Sequence, residues 1–422
     1  MKVTLAGYTI DVLNDKVKTP ETISAAYARI SRSEKSLLDL RKEAIDDVKK
    51  SRESNSRIVF DMGHSSIAEH VVFNFDIEDI SRLAIEELES HRLISVTEKS
   101  QRYVKFENNY YIPDELVNLQ DRLEYIKYCN ALFTLYQKII DENKYNPKIY
   151  EDARYILPLA TYTQLGLTIN ARELEYVIQC LNSSEFTECK ELAQKLYNEV
   201  KDIAPSLIRY TKAKQRIKPK LDELFLMDRS YLVNESKVNL VPDSNILPVH
   251  DTLKYNLSVL KSLEPWESLP REYEFSDFIF VLKCSACAYG QLKRHRMMSL
   301  LAERPKVDYP KSVIPTSIEK YRDRIINIQF LFPQKNSLFN SNCSPYRLRN
   351  QHEYTIAAKL NFRELVHIAR LRLDGHAQWE IRNLVKEMCQ KVEELYPWTA
   401  MFLCGKDKFQ QTKSYFVSKY LE

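Results

Sequence analysis

HRLISVTEKSQRY, running from His91 to Tyr103, is the stretch on which the reading of this chain turns. An extended conformation over 97–103 would project Glu98, Ser100 and Arg102 to one side, because side chains on a strand alternate with period two. That face would set a carboxylate, a hydroxyl and a guanidinium along about 14 Å of chain, at about 3.4 Å per residue. Such a set suits a pyrimidine nucleoside monophosphate: a guanidinium grips phosphate in bidentate fashion, and a carboxylate accepts from a base or sugar donor. The same alternation also fits an exposed polar strand with an incidental ion pair.

Moving outward, VVFNFDI (71–77) alternates aromatic with polar residues and is predicted to be a strand, while Ile80, Leu83, Ala84 and Leu88 have helical spacing. Residues 120–145 and 173–207 read as helical, the second ending before Pro205. Further along the order repeats. FIFVLKCSACAYGQLKRHR (278–296) runs into a His-Arg pair as SRLAIEELESHR (81–92) does, and a serine follows each pair, Ser95 and Ser299. Asn170-Ala-Arg172 is echoed by Asn361-Phe-Arg363. The landmarks recur after 204 positions (His91 to His295) and 191 positions (Asn170 to Asn361), which points to a duplication. Two units are therefore expected, 1–225 and 226–422, joined through the basic stretch KAKQRIKPK (212–220) and a turn-like region holding Pro242 and Pro248.

With 422 residues the chain exceeds what one core usually organises, in keeping with two units. Hydrophobic residues at 44% and charged residues at 28% are ordinary for a soluble globular protein, and a net charge of +4 argues against a dedicated nucleic-acid binder. No apolar run approaches a membrane span or a secretory leader, and eight irregularly spaced cysteines fit a reducing, cytoplasmic compartment. Only six glycines are present, so the glycine-rich phosphate loops GxGxxG and GxxxxGK[ST] are absent. A bound nucleotide would have to be held by side chains such as Arg and His.

The segment His91–Tyr103 resembles the signature RHRxxSxNExSxRY of flavin-dependent thymidylate synthases at His91, Arg92, Ser95, Glu98, Ser100, Arg102 and Tyr103, departing at Ser90 and Thr97. Gly63-His64-Ser65-Ser66-Ile67-Ala68-Glu69-His70 is similar to that family's GHxSxxEH, Ala28-Arg29-Ile30-Ser31 to an early element, and Ala153–Pro158 to ARxxLP. The first half then lacks the arginine and histidine that lead into AQWEIR, having Leu181 and, near the histidine position, Glu185. The second half supplies them at Arg372 and His376, followed by Ala377–Arg382, and Asp374 is a candidate N-cap that would put Arg372 and His376 at a helix start. It keeps Gln291 and Arg294-His295-Arg296, similar to QxxRHR, but has Ala302, Arg304 and Lys306 where the family has Glu, Ser and Arg. Each half has lost a different part.

The resemblance implies an α+β fold of two tandem units, each a mainly antiparallel sheet flanked by helices. It implies FAD, reduced by NADPH, with methylenetetrahydrofolate delivering one carbon to C5 of dUMP. Catalysis falls to Arg372, and substrate binding to Glu98, Ser100, Arg102, Arg154, Gln291 and Arg294. Ser66, His91, Arg92, Arg294, His295, Arg296, Asn361, Arg363, His367 and His376 would hold FAD. A homodimer of such chains would form a pseudo-tetramer, one class of site drawing on both halves. Two rivals stand beside this expectation: a flavin-dependent methylase or hydroxymethylase of another pyrimidine nucleotide, and a non-catalytic flavin- or nucleotide-binding protein. Cys284 and Cys287, in an apolar run at helical spacing, read as buried structural cysteines, and no metal site is expected.

Overall fold

The computed structural model describes residues 1–13, 18–214, 235–241, 253–306, 310–330 and 343–421. The expected boundary at 225/226, the basic stretch beyond Lys214, and Pro242 and Pro248 lie outside the described residues. The chain divides into two compact units. Unit 1 gathers Met1–Tyr150, Leu157–Ile217 and Asp323–Leu348; unit 2 gathers Glu151–Ile156, Lys218–Arg322 and Arg349–Glu422. Each unit thus includes a segment from the opposite half of the sequence.

Unit 1 is built on a four-stranded antiparallel sheet, β1 (Lys2–Tyr8), β2 (Val72–Ser81), β3 (Ile94–Glu98) and β4 (Tyr162–Asn170), in the order β1-β2-β4-β3. The alternation that predicted β2 does bury one face: Phe73, Phe75 and Ile77 point inward, as do Leu165, Leu167 and Ile169 across the pair. The opposite face is polar, and Thr168 donates to Asn74 at 2.7 Å. Helices close the buried face. The long helix Leu119–Glu142 turns Tyr125, Cys129, Leu132, Tyr136 and Ile139 inward at three- and four-residue spacing. The expected helix over 173–207 is two, Ala171–Asn182 and Thr187–Val200. The break follows from Asn182-Ser183-Ser184: Ser183 Oγ donates to the Gln179 carbonyl and Ser184 Oγ accepts from Phe186 N, so short polar side chains take backbone partners the helix would use.

Unit 2 repeats the plan with β5 (Val238–Leu240), β6 (Asp277–Ser285), β7 (Ser299–Glu303) and β8 (Glu353–Asn361), ordered β5-β6-β8-β7. Strand β6 reads FIFVL where β2 alternates, and is buried along most of its length. It ends at Ser285, where the helix Ala286–Leu292 begins, so Cys284 and Cys287 do not share a helix as their spacing suggested. Both are buried, and burial pushes the Cys284 thiol up. Among the described residues no helix is long and apolar enough to cross a membrane.

The two units also repeat a buried polar junction. In unit 1 Ser81 caps the helix Arg82–Leu88, and Glu188, in the first turn of Thr187–Val200, accepts from Ser81 N at 2.8 Å, from Ser81 Oγ, and from the Tyr346 hydroxyl at 3.0 Å. In unit 2 Ser285 caps Ala286–Leu292, and Glu380, in the first turn of Trp379–Leu395, accepts from Ser285 N at 2.8 Å, from Ser285 Oγ, and from the Tyr155 hydroxyl at 2.6 Å. A carboxylate at a helix start is favoured by the exposed backbone N–H groups, and three donors offset the cost of burying it. Each tyrosine comes from the segment contributed by the opposite half of the sequence.

Candidate functional site

In unit 2 the turn Lys293–Met298 between the helix Ala286–Leu292 and β7 lies against the helix Phe362–Arg372. Arg372 is the last residue of that helix, not part of a helix start as expected. Asp374 turns its carboxylate back on His376, accepting from His376 N at 2.9 Å, and Gln378 caps the next helix instead. Arg372 donates from Nε to His295 Nε2 at 3.0 Å and from Nη2 to the Gln291 carbonyl at 3.0 Å. Three sequence-predicted residues therefore meet directly. His295 is 4% exposed; burial first, then the neighbouring Arg372 and His367, push its pKa down to about 3. His367 stands 5.9 Å away ring to ring, and its own pKa is lowered by burial and by Arg370, Arg372 and Arg363. Glu364 approaches His295 Nδ1 at 4.0 Å, with burial lifting its carboxyl to about 7.

Other predicted residues of unit 2 have structural commitments. Asn361 caps the helix Phe362–Arg372 by accepting from Glu364 N at 2.8 Å. Arg363 holds Glu274 at 3.0 Å and, with His367, lines a cavity of about 220 Å³ beside Trp266 and Arg370. Arg294 is half-buried, Arg296 and His376 exposed. Arg154 is buried; its Nε donates to the Glu151 carbonyl, and Nη2 has no partner among the described residues. Gln291 Oε1 is likewise buried and without a partner among the described residues.

In unit 1 the expected single face of Glu98, Ser100 and Arg102 does not form. Strand β3 stops at Glu98, and a turn carries residues 101–103, with Ser100 Oγ accepting from Arg102 N at 3.2 Å. Glu98 turns into the protein and pairs with Arg82, a partner 16 positions upstream that alternation along one strand could not reveal. Arg102 lies over the Tyr103 ring at 5.2 Å. His91 faces Glu173 at 3.5 Å; burial opposes its charge, but hydrogen bonds with Cys180 and Glu173 outweigh that and hold its pKa up to about 9. Arg92 is exposed.

Two short motifs of the first half do come together. Ala28, Arg29 and Ser31 from one, and His64, Ser66 and Ile67 from the other, line a single cavity of about 850 Å³. Its rim adds Arg32, Lys35, Lys50 and Arg57, giving five Lys or Arg side chains against the carboxylates of Glu43 and Glu53. Sequence reading missed Lys50, Glu53, Ser54 and Arg57 as lining, although their i, i+3, i+4, i+7 spacing marks one helical face.

The family described as Thymidylate synthase complementing protein matches residues 12–206 and 267–398, one stretch in each half of the sequence. The chain belongs to this family. Among relatives of the thymidylate synthase complementing family, the flavin-dependent thymidylate synthase of Sulfolobus acidocaldarius is 34% identical over 217 residues, covering 50% of this chain and 76% of its own. That of Clostridium tetani is 32% identical, covering 50% and 86%. A UPF0159 protein of Thermoplasma acidophilum aligns over 87% of this chain and 90% of its own at 24% identity. Solved structures that align with part of the chain include Thymidylate Synthase X (ThyX) from Helicobacter pylori with FAD and dUMP, 24% identical, covering 50% of this chain and 100% of that one, with a TM-score of 0.38. Another is the UMP/dUMP methylase PolB from Streptomyces cacaoi bound with 5-Br dUMP, 19% identical, covering 49% and 92%, with a TM-score of 0.40. The two-unit organisation of this family member is thus visible in the two family matches and in the repeated sheet order.

Proposed function

We propose that this chain is a flavin-dependent thymidylate synthase-like enzyme that transfers one carbon from methylenetetrahydrofolate to C5 of dUMP, using FAD and NADPH. The observation that carries the reading is that, among the buried groups of unit 2 without a partner among the described residues, two belong to residues of the family motifs, Arg154 Nη2 and Gln291 Oε1. A buried polar atom without a partner costs free energy unless a ligand satisfies it. One is a cationic donor suited to phosphate, the other an acceptor suited to a base N–H. Arg372, bonded to the backbone of Gln291, would bring positive charge to the pyrimidine edge. C5 of uracil is a weak nucleophile, and a cation beside the ring favours the N3-ionised, electron-rich form.

The residues present fit a flavin dinucleotide in charge and room. The cavity holding Ser66 offers basic side chains for phosphates where the chain has no glycine-rich loop, and side chains take over the holding. Ser66, Arg92, Arg294, Arg296 and His367 would bind the cofactor, with His91 and His376 at its margin. Asn361 and Arg363 would act through the helix they cap and brace. The flavin supplies the redox chemistry when bound, and the protein orients substrate and excludes water. Ser100 and Arg102 of unit 1 would bind substrate, and a homodimer would assemble four units. Tritium release from 5-labelled dUMP with FAD, NADPH and methylenetetrahydrofolate tests the reaction; a colourless chain that takes up no FAD would refute it.

The withdrawal of Glu98 into its pair with Arg82 favours a second reading, a related methylase or hydroxymethylase of another pyrimidine nucleotide. Faster turnover of uridylate or deoxycytidylate than of dUMP would select it.

A further inference from the structure

Arg372 is held at two points by groups of its own unit, Nε on His295 and Nη2 on the Gln291 carbonyl, and two points fix the plane of a guanidinium. A guanidinium carries only donors, so the contact at 3.0 Å requires a lone pair on His295 Nε2 and places any ring proton on Nδ1. We infer that His295 is a positioning residue for Arg372, serving as an uncharged acceptor that aims the guanidinium. This rests on the reading of Arg372 as the substrate-facing cation.

The groups around the ring agree with that role. His295 is buried and cannot swing away, and the groups facing it are Arg372, His367 and Glu364, all on the helix Phe362–Arg372. Glu364 stands on the Nδ1 side, where it favours the tautomer that leaves Nε2 open. A proton on Nε2 would set two N–H donors against each other at hydrogen-bond distance.

The other unit offers a comparison. His91 keeps an acidic neighbour at the equivalent place, Glu173 for Glu364, and an aromatic neighbour, Tyr176 for His367, at 5.3 Å. Leu181 stands where unit 2 has Arg372. There burial opposes the charge of His91 but hydrogen bonds with Cys180 and Glu173 raise its pKa to about 9, whereas burial first, and then Arg372 and His367, lower that of His295 to about 3.

The test begins on the full-length chain without substrate, by ¹⁵N imidazole NMR. His295 should remain in the neutral Nδ1–H form from about pH 5 to 9, and its titration should move upward in Arg372→Leu. A His295 that titrates in this window in the unaltered chain overturns the inference. The second arm uses tritium release: His295→Phe should lower kcat per bound FAD roughly ten- to hundredfold, and His295→Gln, which can still accept, should recover part of that loss. Equal losses in both variants, with both shown to be folded by thermal melting, also overturn it. If the unaltered chain turns over no pyrimidine nucleotide, the enzymatic reading fails, and the NMR arm still decides the state of His295.

Discussion

In unit 1 the ring of His91 faces Glu173 and Tyr176; in unit 2 the ring of His295 faces Glu364, His367 and Arg372. Around these rings the scaffolds match. Asn170 and Asn361 both cap the following helix, Arg172 and Arg363 both pair with an acid, Glu69 and Glu274, and a buried Ser-Glu-Tyr junction recurs. What diverged is the set of side chains around the two rings: Tyr176 and Leu181 stand in unit 1 where unit 2 has His367 and Arg372.

The sharpest way to break the comparison is Arg372→Ala. Tritium release should fall by about 10²–10³, the scale seen when one positioned electrostatic group is removed from an active site. Lys306→Ala, at the position where unit 2 departs from the family signature, should leave the rate unchanged.

Imidazole titration compares the repeats directly. His91 should hold its proton to about 9, and Glu173→Gln should lower that value, because a carboxylate at 3.5 Å favours the charged ring. The raised value in the fold means that its contribution to stability is full below the ordinary histidine range and is lost as pH rises through about 9.

The buried junctions should register next. Tyr346→Phe and Tyr155→Phe each remove one donor from a buried carboxylate, at a cost of about 1–3 kcal/mol in denaturant unfolding. Burial lifts Glu188 to about 7 against the hydrogen bonds of Ser81 and Tyr346 that lower it. The folded state therefore binds a proton that the unfolded chain has released. Stability from this group should decline as pH rises from the ordinary carboxyl range to about 7, and Glu188→Gln should flatten that slope. The smallest effect is expected from the caps: Asn170→Ala or Asn361→Ala should cost ~1 kcal/mol each in the same measurement.

Much of the scaffold was legible in the sequence. Phe73, Phe75 and Ile77 announce β2 by their alternation, Leu119–Glu142 is readable from periodicity, and the echo of Asn170 in Asn361 gave the repeat. The site was legible in part. Arg372, His295 and Gln291 were named from the resemblance, and they meet. Glu98 was misread because its partner, Arg82, lies on a different element, and spacing along one strand carries no information about such a neighbour. Glu188 and Tyr346 were invisible for the same reason: they are 158 positions apart and neither belongs to a motif.

The crossing of segments between units has a consequence for synthesis. Domains commonly fold in order as they leave the ribosome. Unit 1 cannot follow that order here, since Glu188 must wait for Tyr346, which is translated only after most of unit 2 has emerged. A nascent chain halted midway would carry a buried carboxylate short of one donor, so maturation of the first half is tied to synthesis of the second as far as Tyr346.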